Sequence, residues 1–168
     1  LLCVYEMEGA IAAIRSPFST STEYADRKTS QYESESEKSA RDRAYVIFSR
    51  LQKYNDLYTE MRSVRQRCRV VFGDSYTGLF DDLWSIIIKI RFSAEMLGDH
   101  YWTEPMGHCE DERRKEMSAE RQKYEQVIWS WGSSDEVEPK VKKIVAEAER
   151  LFREKITPST IGQRICNA

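Results

Sequence analysis

Val4, Met7, Ile11 and Ile14 recur at steps of three and four residues, which places them on one side of a helix. Glu6 and Glu8 fall off that stripe, and Ser16-Pro17 interrupts it, so a short first helix is predicted over Leu1 to Arg15. From residue 19 to 39 the chain is polar and rich in serine and glutamate, with only Tyr24, Ala25 and Tyr32 to bury; it reads as a polar linker or an exposed helical extension. From Ala40 the pattern becomes regular. Ala44, Ile47, Leu51, Tyr54, Tyr58, Met61, Val64, Cys68 and Val71 form a nearly unbroken helical stripe, predicting one long helix that stops at Gly73.

Asp74, Ser75 and Thr77 are candidate caps for the next helix, whose buried face is Leu83, Ile87, Ile90, Ala94 and Leu97. Phe80, Trp84, Ile86, Ile88 and Phe92 broaden that face until only a narrow strip with Ser85, Lys89 and Arg91 stays polar. Such a helix needs neighbours on several sides. The run Trp84 to Ile90 also has the composition of a buried strand, but the continued spacing to Leu97 and the short link to the preceding helix favour an antiparallel helical pair. Gly98 to Gly107 reads as a connection whose Tyr101 and Trp102 seal one end of the core.

A further helix is predicted from around Cys109 to Asp111, with Met117, Tyr124, Val127, Ile128 and Trp131 buried and Gly132 as its stop. Ser133-Ser134-Asp135-Glu136 offers caps for another, with Pro139 in its first turn and Val141, Ile144, Val145, Ala148, Leu151 and Phe152 on its inner face. Thr157-Pro158 breaks that helix, and a short terminal one is expected from Pro158 towards Ile165. The fold class is therefore all-α: a helical bundle of about four main helices with short additional N- and C-terminal helices, forming a single domain over residues 1–168.

Composition narrows the function classes. With 40% hydrophobic residues, 168 residues suffice for one core without a metal or disulfides. The net charge of -2 leaves the molecule with no global attraction for nucleic acid or an anionic bilayer. Cys3, Cys68, Cys109 and Cys166 show no C-x-x-C pairing, and there is no signal-peptide pattern or glycosylation acceptor, so free thiols and a cytoplasmic location are expected. No apolar run reaches the roughly 18 to 20 residues of a membrane-spanning helix. The chain opens on Leu1 rather than methionine, which is compatible with a processed precursor or an upstream anchor.

Candidate chemistry is sparse. His100, His108, Cys109 and Glu110 combine metal-binding and nucleophilic side chains, but in no recognised ligand or catalytic spacing; a satisfied thiol beside a solvated imidazole accounts for them. No bound metal or cofactor is expected, and no catalytic residue is assigned. No glycine-rich phosphate loop occurs. Arg62, Arg65 and Arg69 present a basic ridge, the best local binding candidate, although cations at a helix C-terminus explain the same pattern.

Long amphipathic helices without a reactive constellation point to a helical protein-interaction or scaffold domain, within a longer chain or alone, whose partner is another protein or a second copy of itself. The alternative is an enzyme or small-ligand-binding bundle with a site assembled from residues distant in sequence. A filled core with one exposed apolar groove would favour the first class, and an enclosed cavity with converging charges the second. The first helix is expected to dock, preferentially on its own bundle, and a carboxylate at Leu51 or Ile87 is expected to prevent cooperative folding.

Overall fold

The computed structural model describes residues 1–103, 111–131 and 135–156. Among them all regular structure is helical: α1 (Leu2–Ile14), α2 (Glu35–Lys53), α3 (Asn55–Phe72), α4 (Gly78–Met96), α5 (Asp111–Ile128) and α6 (Val137–Ile156). Short 3-10 turns at Ser21–Glu23 and Asp74–Tyr76 and a π-helical turn at Leu97–Tyr101 complete the set. Trp84 to Ile90 lie within α4, so the strand alternative falls away. The short helix expected from Pro158 to Ile165 falls outside the described residues.

Helix α4 is the central element, packed against α2, α3, α5 and α6 and touching α1. Leu83, Ile90 and Ala94 on its inner face, and Leu97 in the π-turn that follows, are wholly buried. The first helix joins the same core: Val4, Met7 and Ile14 are fully enclosed, with α3 and α6 as its main neighbours. Its stripe is thus covered by the chain's own bundle, the first of the surfaces that could have taken it.

The long stripe from Ala44 to Val71 is carried by two helices, not one. Tyr54 leaves the helical region at φ -105° and ψ 15°, and α3 restarts at Asn55. No proline or glycine marks the break, so the sequence gives no local cue. The restart sends α2 on to the π-turn beyond α4 and α3 on to α1, and the stripe stays inward as far as Cys68, whereas Val71, expected at its buried end, is 68% exposed. The close approach at that π-turn depends on Gly98. A Cβ there would lie 2.6 Å from the Ala44 Cβ, inside any tolerable contact distance.

Two buried arginines fasten the connections. Arg50 of α2 donates to the carbonyl oxygens of Ile14 (3.1 Å) and Ser16 (2.6 Å) and pairs through Nε with Glu23 at 2.6 Å, satisfying the open end of α1. Arg15, 2% exposed, donates to the carbonyls of Val127 (2.8 Å), Gln126 (3.0 Å) and Trp129 (3.0 Å) and to the Asp135 carboxylate (2.8 Å). That capture ends α5 at Ile128 rather than at Gly132. Trp131, expected on the buried series, is consequently 63% exposed, and Trp129 is buried in its place. Asp135 in turn caps α6 by accepting the amides of Val137 (2.8 Å) and Glu138 (3.1 Å).

Residues 19–39 comprise the Ser21–Glu23 turn, an irregular stretch and the first residues of α2. Ionic contacts hold this segment. Arg27 donates to both carboxylate oxygens of Glu33 (3.0 and 2.9 Å) and to Asp42 (2.5 Å), and Arg41 adds a third contact to Glu33 at 3.0 Å. The Arg27 hydrogen bonds, opposed by burial and helped by Arg41, hold the Glu33 carboxyl at about 2, below its ordinary value of 4.5. A group with a depressed folded-state pKa stabilises the fold above its unfolded pKa and loses that contribution as pH falls through the folded one. This ionic anchor is therefore expected to be intact above about pH 4.5 and to release towards pH 2. A carbon-detected NMR titration of Glu33 should show a midpoint near the lower value; a midpoint at 4 or above would show that the anchor does not form.

Candidate interaction site on the outer face of α4

Trp84, Ile88 and Phe92 lie at i, i+4 and i+8, one line along the outer side of α4. Neighbouring helices cover α4 on its inner side and both flanks, but nothing in the bundle covers this line completely. Ile88 is 46% and Phe92 51% exposed, while Trp84 is half-buried. The expectation that so broadly apolar a helix needs neighbours on several sides is met on all but this side.

Helix α3 forms one bank. Arg69 pairs with Asp74 at 2.7 Å, Arg65 grips Asp81 with two bonds of 2.7 and 2.8 Å, and the Arg62 guanidinium lies 4.6 Å from the Trp84 ring centre. Positions fall along α3 as they rise towards and along α4, so the helices run antiparallel. Beyond Trp84 a groove of about 320 Å³ opens between α4 and the end of α2 with the start of α3, floored by Phe48, Leu51, Tyr58, Trp84, Ile87 and Ile88 and edged by Gln52, Asn55 and Arg91. Tyr58 meets Trp84 edge-to-face at 5.9 Å. Its hydroxyl is enclosed and has no hydrogen-bond partner among the described residues, and burial pushes the phenol up to about 12. On the other flank Phe92 rests against Tyr124 of α5 at 6.2 Å, and Tyr101 against Tyr124 at 5.3 Å.

A larger groove of about 460 Å³ lies between α4 and α6. Size alone does not make it the better candidate. Its floor residues Leu79, Ile86 and Ile144 are already buried, and two of the charged groups on its rim have partners within the chain: Glu147 holds Arg150 at 2.6 Å and Lys140 approaches Glu136 at 3.9 Å. The groove beside α3 has what that one lacks, an apolar ridge still in contact with solvent.

Of the ridge Arg62, Arg65 and Arg69, only Arg62 reaches this site, over Trp84, while Arg65 and Arg69 pair with acids on the side of Trp84 away from the groove. Sequence reasoning assigned no role to Phe48, Leu51, Tyr58 or Ile88 as a group. The available signal was the excess apolar width of Trp84 to Phe92, more than a helix of this bundle could bury. His100 is exposed at the π-turn, and His108, Cys109 and Glu110 fall outside the described residues. Cys3 and Cys68 are buried free thiols, and burial is the leading cause raising both, Cys3 to about 11.

Among the described residues, fold and site together define an all-α bundle with an apolar line of α4 left open beside a groove. Comparison with known proteins gave no matching family model, no similar curated protein and no similar solved structure. Among the described residues, no helix is long and apolar enough to cross a membrane.

Proposed function

We propose that this chain is a helical protein-interaction domain whose docking surface is the outer face of α4. The observation that carries the reading is the line of half-buried Trp84 and exposed Ile88 and Phe92 beside an open apolar groove, a combination that the exposed Val70 and Val71 at the end of α3 do not have. Burying a large apolar side chain contributes roughly 1.5 to 3 kcal/mol, so a partner covering Ile88 and Phe92 recovers part of the cost of association. An exposed apolar line edged by polar residues is the usual form of a recognition surface.

A second reading, a small-ligand site, rests on the unpartnered Tyr58 hydroxyl in the groove floor. The openness of the groove to solvent and the enclosure of that hydroxyl weigh for the protein partner.

The test uses a photo-crosslinking residue at Gln52, exposed at the groove edge, with Lys142 on α6 as the control position. In the native cell, crosslinking from position 52 is expected to give a discrete protein adduct that disappears on Ile88→Asp, while the folded protein keeps its melting temperature. An adduct indifferent to Ile88→Asp, or none above the control, would remove the reading.

A further inference from the structure

We infer that the partner presents an acidic amphipathic helix, with its apolar side chains in the groove along α4 and its carboxylates on Arg62 and Arg91. The inference rests on the docking face proposed above and adds the chemistry of what binds there. The groove runs along α4 opposite the junction of α2 and α3, so its walls are helical, and no strand edge occurs among the described residues to pair with an extended peptide. From Trp84 to Arg91 it spans seven residues of α4, about 10 Å at 1.5 Å per residue, or two turns of a helix laid along it. That length accepts two apolar anchors one turn apart.

Charge selects among such helices. Arg62 stands over Trp84 at one end and Arg91 edges the groove at the other, and neither has a carboxylate partner among the described residues. The nearby acids are mostly occupied or averted. Arg65 holds Asp81 and Arg69 holds Asp74, while by helical spacing Glu60 lies about 160° and Asp56 about 120° round α3 from Arg62. Glu95, exposed one turn beyond Arg91, is the carboxylate that shares this face. Two uncompensated guanidinium groups about two turns apart, with apolar floor between them, match a helix whose acids flank its anchors.

The experiment displays a library of helical peptides with randomised surface positions and selects it on the full chain, with counter-selection on Ile88→Asp. The enriched sequences are expected to carry an apolar pair at i, i+4 flanked by Glu or Asp. Their affinity is expected to fall about tenfold or more on Arg62→Glu with Arg91→Glu, and to weaken with added salt. Exchanging the peptide's acids for lysine should restore binding to that double variant, a rescue that damage to the fold would not produce. Should Ile88→Asp lower the melting temperature, Ile88→Ser provides the milder counter-selection.

Enrichment that depends on Ile88 but shows no acidic excess, or that ignores the charge reversal, overturns the acidic partner and leaves the docking face standing. Failure to enrich over Ile88→Asp overturns both. A dimer in sedimentation that dissociates on Ile88→Asp gives the face to a second copy and likewise ends the inference.

Discussion

Replacing Arg15 by methionine is expected to lower stability by about 3 to 5 kcal/mol, the usual result of removing one member of a buried ion pair. The side chain is 2% exposed and satisfies three carbonyl oxygens at the end of α5 as well as Asp135. Methionine fills similar volume but donates nothing, so those carbonyls and the carboxylate stay buried with fewer partners. Arg15→Lys keeps the charge and loses the fork, and is expected to recover only a minor part. For a chain of this length the loss corresponds to a fall in melting temperature on the order of 10 °C. A thermal transition within about 2 °C of the parent would show that Arg15 is not the fastening of α1 to α5 and α6.

The same contact sets a pH response. Burial is the strongest influence on Asp135 and pulls its pKa upward. The hydrogen bond from Arg15, the amides of Glu138 and Val137, and the Arg15 charge together outweigh it, leaving the group below its ordinary 3.8. Its contribution is therefore complete above that value and is lost as pH falls through the folded pKa. In Arg15→Met the acid-side loss attributable to this pair should shrink, because the positive charge that depressed Asp135 is gone.

Ile87→Asp is expected to abolish cooperative folding. Ile87 is 3% exposed on α4 between the core and the groove floor, and Arg91, one turn on, stands at the groove edge rather than in the core where the new carboxylate would lie. Ionising there costs several kcal/mol, and protonating it still leaves a polar group without partners and a void where the isoleucine packed. Against a typical domain stability of 5 to 15 kcal/mol, that loss is enough to populate the unfolded chain. Circular dichroism and urea titration should show no sigmoidal transition. Ile88→Asp, one residue on but 46% exposed, should retain one. A cooperative transition in Ile87→Asp close to the parent midpoint would mean that the inner face of α4 is misassigned.

The contrast between those neighbours marks the boundary between what periodicity reveals and what packing decides. The residues that became the core of α1, α4 and α6 were legible as three- and four-residue steps, because a helix must turn its apolar side chains to one side to remove them from water. Gly73 ends α3 at φ 89°, where a residue with a Cβ would be strained. The break at Tyr54 was not legible, since the stripe continues through it and the cause is the different destinations of α2 and α3. Nor was the end of α5 at Ile128, which is imposed by Arg15 from more than a hundred residues away in sequence. In and beside the candidate site, the sequence supplied the excess width of α4 and the arginines at positions 62, 65 and 69. Only the fold determined which part of that width stays uncovered, because exposure depends on where five other helices lie. It also placed Arg62 on an aromatic ring, gave Arg65 and Arg69 their acidic partners and brought Arg91 to the groove edge. Local spacing orders side chains around one helix axis; pairing charges and leaving a face open are properties of several axes at once, and those exist only in the folded chain.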